Sequence, residues 1–269
     1  MPAEILRADG LPVWLLGLGG TTETRASTVD RAFRLWIDYF FAYTLKFEGL
    51  VAGMSGLARN HREEVVIATG SEERHRGKLR ESLESALHSL ETGFIDIFYL
   101  EYVAPADSAS DHEEALGEVL RWKQEGLIRY LGVSAHDRSL ATALCENDAV
   151  DVLMHRYNMA HRKSESAVLP RDRGADTPVV TFTCTRWESL LRGHPDWDGA
   201  TPTAGDCYRF ALSHEAVRLA LTAPANATEL EENVKSVNTI MSASERENWS
   251  RYGDLHYGDG TDAFETRWP

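Results

Sequence analysis

Short apolar runs alternate with segments of helical length along almost the whole chain, and this alternation constrains the fold more than any other feature. In residues 76–91, leucines recur at helical spacing with charged residues opposite, which is typical of a helix that covers a sheet. Because strands joined through helices pair in parallel, the alternation indicates a parallel α/β sheet. Eight runs have strand character, at residues 13–16, 35–39, 64–69, 95–100, 128–133, 150–157, 179–183 and 218–222.

The number of strands distinguishes between the two common parallel architectures. Eight strand and helix units without a linker or low-complexity break favour a closed (β/α)8 TIM barrel. An open doubly wound sheet that binds a dinucleotide would carry a glycine-rich motif at the start of its first helix, and the sequence has none there. We therefore predict an α/β fold with a single barrel domain over residues 1–269.

Composition narrows the classes of function. The formal net charge of −14 opposes binding to nucleic acid or to an anionic membrane, because both require a basic surface. The three cysteines are far apart and, like the histidines, follow no metal-binding spacing, so we predict no metal site. The sequence has no stretch of the roughly 18 apolar residues that a membrane span needs, and its first residues lack the pattern of a secretion signal. We expect a cytoplasmic protein that acts on a small molecule.

Polar residues stand at the ends of the predicted strands, where parallel sheets collect their ligands and catalytic groups. The run at residues 128–133 is followed by Ser134, Ala135 and His136. The run at residues 95–100 is followed by Glu101, an uncommon place for an unpaired charge. We expect these side chains to share one mouth of the barrel with residues near the ends of the other predicted strands, namely Gly20, Thr21, Asp38, Gly70, Asn158 and Phe182.

Several motifs spread through the chain resemble one known family. They are the glycine-rich segment 17–20, Asp38 with Tyr43 five residues later, residues 80–87 leading to Asp96, residues 126–134, the pair Tyr157 and Asn158, and the pair Glu232 and Asn233. This pattern resembles the aldo-keto reductase family, most specifically in the middle of the chain. The resemblance implies a (β/α)8 barrel that binds an extended NADPH and reduces carbonyl groups with a tetrad of Asp, Tyr, Lys and His.

The resemblance carries over half of that tetrad. Asp38 and Tyr43 stand at the positions of the family's Asp and Tyr, but Gly70 replaces the Lys. A tyrosine has a pKa of about 10 and donates a proton well only if a neighbour such as this Lys tunes it. Glu101 replaces the His, and a Glu in an apolar mouth tends to be held neutral, so that it can donate a hydrogen bond. Family members with Glu at this position reduce the conjugated carbon–carbon double bonds of enones, so the resemblance implies that chemistry with an altered tetrad.

The resemblance also implies where a nicotinamide cofactor, NADP or NAD, is held. The family clamps the nicotinamide amide with Ser, Asn and Gln, and the first of these is Ser134 here. His136 is the candidate to replace the missing Asn, and Phe182 replaces the Tyr that stacks on the ring. Near the family's 2′-phosphate pocket, residues 225–229 contain no Lys or Arg, which leaves NADP and NAD both open. The implied cofactor-binding set is Gly20, Thr21, Ser134, His136, Asn158, Phe182, Thr183, Glu232 and Asn233.

Three functional hypotheses stay open at the level of sequence. The first is a nicotinamide-dependent reductase with Asp38, Tyr43 and Glu101 as catalytic residues. The second is a cofactor-independent isomerase, lyase or cyclase that uses the same three residues as acid and base. The third is a non-catalytic barrel, in which Asp38 is a structural carboxylate and Glu101 forms an ion pair with Arg129 or Arg156.

Overall fold

The computed structural model describes residues 4–169 and 177–258, and in them eight parallel strands close into a barrel. Each strand pairs with the next along the chain, and β8 pairs with β1 to complete the ring. The predicted (β/α)8 barrel is confirmed. The strands are β1 Leu16–Leu18, β2 Tyr39–Ala42, β3 Val66–Ser71, β4 Ile95–Val103, β5 Ile128–Ala135, β6 Val152–Arg156, β7 Val179–Phe182 and β8 Val217–Thr222.

Helices connect the strands and cover the outside of the barrel. They are α1 Ala26–Arg34, α2 Glu48–Asn60, α3 Arg76–Ser89, α4 Ala109–Gln124, α5 Arg138–Cys145, α6 Ala204–Leu212, α7 Ala227–Ser236 and α8 Ala243–Tyr257, with short 3-10 turns at Arg62–Glu64, Lys163–Ser166 and Ser189–Arg192. Leu79 and Leu83 of α3 are fully buried, as the leucine spacing in the sequence predicts. Within residues 4–169 and 177–258, no helix combines the length and the apolar character that crossing a membrane requires.

The side chains inside the barrel form their own apolar cluster, separate from the larger one between strands and helices. Tyr39 and Tyr99 belong to this inner cluster, are fully buried, and have their hydroxyl groups 2.8 Å apart. Because side chains alternate along a strand, residues two positions beyond the cluster face the same interior. Glu101 therefore follows Tyr99 on the inner face of β4, and Arg156 follows Met154 on β6.

The first two strands begin later than the sequence suggests, whereas the other six overlap their predicted ranges over most of their length. The apolar residues before β2 end helix α1 instead of forming a strand. Trp36 has a left-handed backbone with φ of 73°, and the N–H of Ile37 donates to the carbonyl oxygen of Ala32 at 3.0 Å. Asp38 consequently precedes β2, at the amino end of the barrel, and the prediction that it lies at the carboxyl end of a strand is wrong.

Asp38 belongs to a polar layer that joins the N-terminal segment to the amino end of the barrel. Its Oδ1 accepts a hydrogen bond from the backbone N–H of Trp14 at 2.9 Å, and its Oδ2 accepts one from Arg7 at 3.3 Å. Two donors thus satisfy a buried carboxylate, as a structural role requires.

A second ion pair in this layer settles one of the alternatives for Glu101. The guanidinium of Arg129 donates to the Asp96 carboxylate at 2.8 Å and to the carbonyl oxygen of Leu6 at 3.0 Å. Arg62 approaches the other oxygen of Asp96 at 2.7 Å. The ion pair between Glu101 and Arg129 considered from sequence is therefore wrong, because Arg129 faces the opposite end of the barrel.

Burial makes the Asp38 carboxyl sensitive to pH. It raises the pKa of Asp38 from its usual 3.8 to about 6, although the Trp14 N–H and the Arg7 guanidinium oppose the shift. The folded protein thus binds this proton more tightly than the unfolded chain does. The resulting stabilisation is complete below pH 3.8, the usual pKa of this group, and is lost as the pH rises through about 6.

We expect Asp38→Asn to flatten the fall in the free energy of unfolding between about pH 4 and pH 7, because an amide cannot ionise. The difference from the wild type should reach at most about 3 kcal/mol, which corresponds to the two-unit shift. Urea unfolding at the two pH values measures it. Asp30→Asn is the matched control, since it removes an exposed carboxylate of α1 that pairs with Arg34. Identical slopes for Asp38→Asn and the wild type would contradict the assignment.

Candidate active site

Adjacent strands bring four of the sequence-predicted residues to the carboxyl end of the barrel. Tyr43 follows β2, Gly70 lies near the end of β3, Glu101 lies near the end of β4, and Ser134 near the end of β5. The register pairs Ser71 with Leu100 and Ala42 with Thr69, so these ends stand side by side. Asp38 is not among them, since it lies at the other end of the same barrel.

The absence of a side chain at Gly70 makes room for Glu101. A β-carbon at Gly70 would lie 2.5 Å from the carbonyl oxygen of Tyr99 and 2.7 Å from Cγ of Glu101, both too close for real atoms. The Glu101 side chain thus occupies the space that a residue with a side chain on β3 would take. The glycine at position 70 and the glutamate at position 101 are therefore linked by packing.

Glu101 is a buried carboxyl group with an unused oxygen. Its exposure is 2%, and Oε1 has no hydrogen-bond partner among the described residues. Burial raises the pKa of Glu101 well above its usual value, the carboxylate of Glu72 adds to the increase, and the guanidinium of Arg74 opposes it. Burial therefore favours the neutral form of this carboxyl, and a neutral carboxyl can donate a hydrogen bond to a bound oxygen.

Tyr43 lies at the same mouth but is poorly suited to the proton-donor role predicted from the sequence. Its hydroxyl donates a hydrogen bond to Oε1 of Glu72 at 2.6 Å, and the side chain is 40% exposed. That hydrogen bond, more than burial, raises the pKa of Tyr43 from 10 to about 12. An acid that shares its proton with a carboxylate gives it up less readily, so the shift moves away from the neutral range that proton donation favours.

A row of aromatic rings crosses the mouth beside Glu101. Tyr102 stacks on His136 with ring centroids 5.2 Å apart, and the edge of His136 meets Phe182 at 5.3 Å. The backbone of Tyr102 is left-handed, with φ of 49°, at the irregularity where the pairing of β4 and β5 shifts register. Its N–H donates to Oγ of Ser134 at 2.8 Å. The Ser134 hydroxyl therefore accepts one hydrogen bond already and keeps its own proton to donate.

Beyond β6 and β7, the structure gives the predicted cofactor residues different roles. Asn158 is fully buried and its side chain is used within the protein, donating to the carbonyl oxygen of Thr183 at 2.9 Å and accepting from two backbone N–H groups. It holds a turn, and it fixes the start of the loop after β7. Oγ1 of Thr183 is buried and has no hydrogen-bond partner among the described residues, so its hydrogen-bonding capacity is unused within the fold.

The remaining predicted cofactor residues lie at β1 and α7. Gly20 allows Leu50 to pack against the backbone, because a β-carbon there would lie 2.6 Å from Cδ2 of Leu50. The N–H of Thr21 donates to Oγ1 of Thr24 at 2.9 Å. On α7, Glu232 is exposed, whereas Asn233 is buried and donates to Oγ1 of Thr222 at 3.1 Å.

Two residues at the mouth, Glu72 and Tyr102, were not found from the sequence. The residues predicted at these strand ends were Gly70 and Glu101, and Glu72 and Tyr102 lie two positions and one position beyond them. The signal that could have found Glu72 is its place after Ser71, which aligns it with Glu101 once the strands pair in parallel. No cluster of three His, Cys, Asp or Glu residues suited to a metal occurs in the part of the chain that the structure describes.

We expect Gly70→Ala to destabilise the protein by about 1–3 kcal/mol, because overpacking forces neighbouring atoms to move. The effect should shrink in a Glu101→Ala background, where only the contact with the Tyr99 carbonyl remains. Urea unfolding of the single and double variants measures both values. Gly56→Ala in α2 is the matched control, because nothing lies within 4 Å of the added carbon. Equal effects of Gly70→Ala in both backgrounds would contradict the linkage.

Sequence comparisons agree with this architecture. The model of the aldo/keto reductase family matches residues 28–186, more than half of the chain. The uncharacterized oxidoreductase YqkF of Bacillus subtilis is 27% identical over 178 residues, covering 60% of this chain and 57% of the relative. The aldo-keto reductase YhdN of the same species is 25% identical over 202 residues, covering 68% and 58%. The alignments therefore extend over just over half of each relative's length.

Solved structures share the fold over nearly the whole chain. The holo form of aldo-keto reductase AKR11C1 from Bacillus halodurans superposes with a TM-score of 0.78 and 19% identity, covering 99% of this chain and 100% of that one. An aldo/keto reductase from Klebsiella pneumoniae in complex with NADP and acetate gives 0.74 and 16%, covering 94% and 96%. The matched segment 28–186 contains strands β2 to β7, and with it the chain belongs to the aldo/keto reductase family.

Proposed function

We propose that this chain is a nicotinamide-dependent oxidoreductase that reduces a carbonyl group or a conjugated carbon–carbon double bond in a small molecule. The observation that carries the proposal is the buried Glu101 carboxyl, whose Oε1 has no partner among the described residues and whose pKa is raised by burial. Membership of the family and the NADP complex of the Klebsiella pneumoniae relative support it. Catalysis of this kind gains most from donors placed where negative charge develops.

Glu101 would act on the oxygen atom of the substrate. In the reduction of a conjugated double bond, negative charge develops on the carbonyl oxygen, and a neutral carboxyl can stabilise it with a hydrogen bond and then give its proton. Burial raises the pKa of Glu101, and the neighbouring carboxyl of Glu72 adds to the increase, since two nearby carboxyl groups do not ionise together readily. The donor role predicted for Tyr43 thus passes to Glu101, and Asp38 takes no part because it lies at the other end of the barrel.

The mouth has groups that fit a nicotinamide cofactor, which supplies a hydride when bound. The unused hydroxyl of Thr183 suits a phosphate oxygen, and the hydroxyl proton of Ser134 suits the oxygen of an amide. Phe182 is half-buried and offers a ring for stacking, with His136 beside it. Asn158 fits this purpose less well, because its side chain is satisfied within the protein.

The region after β8 offers little to distinguish NADP from NAD. The carboxylate of Glu229 accepts from the N–H of Ala225 at 2.9 Å and from Asn226 at 2.8 Å, so a negative group occupies the start of α7. Arg31, from α1, pairs with Glu231 at 2.6 Å. A 2′-phosphate is held best by a bidentate arginine, and residues 225–229 contain none. We infer that the chain does not select strongly for the 2′-phosphate.

We expect NADPH and NADH to bind with dissociation constants within about tenfold of each other, because the missing cation–phosphate pair is worth roughly 1.4 kcal/mol or more. Calorimetric titration of the full chain with each cofactor measures this ratio. Failure of both cofactors to bind at millimolar concentration would contradict the proposal.

A second measurement tests Glu101 itself. We expect Glu101→Gln to slow reduction of enones such as cyclohex-2-enone by about 10²- to 10⁴-fold, because an amide cannot transfer the proton. The dissociation constants of the cofactors should not change. Glu73→Gln removes an exposed carboxylate three residues beyond Gly70 and is the matched control, for which we expect the wild-type rate. If the Glu101→Gln variant reduced enones as fast as the wild type, Glu101 would not be the proton donor.

A further inference from the structure

Two glutamates of opposite character meet at the mouth, one at the end of β3 and one on β4. We propose that Glu72 and Glu101 form an acid–base pair that moves protons at the carbon next to a carbonyl group, without a nicotinamide cofactor. Glu72 is the base that removes the carbon-bound proton, and Glu101 is the acid that holds the carbonyl oxygen. This activity goes beyond the reduction proposed above, although it uses the same Glu101 carboxyl.

The position of the two residues is fixed by a single guanidinium group. Arg74 donates from Nη1 to the backbone carbonyl oxygen of Glu72 at 3.0 Å and from Nη2 to that of Glu101 at 2.8 Å. Its Nε donates to the Asp107 carboxylate at 3.1 Å, which holds the guanidinium in place. Because the two terminal nitrogens belong to one rigid planar group, they hold the two backbone segments close together. The register of Ser71 with Leu100 leads to the same neighbourhood.

The surroundings of the two carboxyl groups differ. Glu101 is 2% exposed, and its Oε1 is buried above Gly70 without a partner among the described residues. Glu72 is exposed, and its Oε1 accepts a hydrogen bond from the Tyr43 hydroxyl at 2.6 Å. A buried carboxyl beside an exposed one suits a division into one acid and one base.

Other titratable groups around the pair leave these assignments intact. Tyr99 and Tyr102 face Glu101, and burial raises the pKa of both phenols, so they stay neutral. Tyr43 also keeps its proton, since its pKa is raised to about 12. Arg74 is the cation that faces both glutamates, and its positive charge opposes the pKa increase of Glu101 without reversing it.

The proposed step balances without an oxidant or reductant. The Glu72 carboxylate takes a proton from the carbon next to the carbonyl, and the electrons of that C–H bond become the carbon–carbon double bond of an enol. The carbonyl oxygen receives the Glu101 proton as its double bond opens. Reversal returns a proton to carbon and restores both glutamates. Because Glu72 is exposed, its proton exchanges with solvent between the two halves of the cycle.

The charge of the mouth indicates the class of substrate. The formal net charge of the chain is −14, which disfavours the approach of an anionic compound. The rings of Tyr43 and Tyr102 meet edge to face and offer apolar surface at the mouth. We infer that uncharged ketones and enones with a hydrogen on the neighbouring carbon are the compounds that this pair acts on.

Deuterium exchange tests the pair directly. The full chain is incubated with cyclohexanone or cyclohex-2-enone in deuterium oxide without nicotinamide, and proton NMR follows the loss of signal at the carbon next to the carbonyl. We expect exchange above the buffer rate, reduced by about 10²-fold or more in both Glu72→Gln and Glu101→Gln, the usual size of an acid–base contribution. Glu73→Gln, the exposed neighbour, should exchange at the wild-type rate.

The outcomes separate this inference from the proposed reduction. Exchange that needs both glutamates, in a protein that binds no NADPH or NADH, supports the pair and rejects the reductase. Reduction without exchange rejects the pair alone. Exchange that survives Glu72→Gln also overturns the inference, provided that the circular dichroism and urea midpoint of the variant match those of the wild type. A Glu72→Asp variant that regains part of the exchange distinguishes a base from a structural residue.

Discussion

The close contact between the Glu101 side chain and the backbone of Gly70 determines the chemistry of the mouth. A side chain at position 70 would collide with Glu101 and with the Tyr99 carbonyl oxygen, so the carboxyl can enter the barrel only above a glycine. Once inside, it loses its hydration and holds its proton. The mouth thereby holds a buried acid, and this acid suits reactions that need a proton on a substrate oxygen.

The barrel could be derived from the sequence because its signal is distributed over the whole chain. Eight apolar runs separated by helical segments leave few topologies, and local errors do not change that count. The errors in the predicted strand boundaries were local. The apolar residues 35–37 end helix α1, with Trp36 in a left-handed conformation, so β2 starts only at Tyr39. A shift of this size is within the usual uncertainty of a strand boundary, yet it moved Asp38 from one end of the barrel to the other.

The site was less accessible to sequence reasoning because it depends on contacts between strands. Glu101 could be found, since it ends an apolar run, and its burial follows from the inward alternation of β4. The role of Glu72 depends on the register of β3 with β4 and on the Arg74 guanidinium, neither of which is local in sequence. The pKa of Tyr43 rises because its hydroxyl, just after β2, donates to Glu72, just after the neighbouring strand β3. Only the folded chain brings these groups together.

The two ends of the barrel show how hydrogen bonding separates a structural carboxyl from a reactive one. Burial raises the pKa of Asp38 at the amino end and of Glu101 at the carboxyl end. Asp38 accepts from Trp14 and Arg7, so its oxygens are committed to holding the N-terminal segment. Oε1 of Glu101 has no such donor among the described residues, so no hydrogen bond offsets the loss of its hydration. A buried acid without a partner destabilises the fold, and binding a substrate oxygen is the event that would relieve that penalty.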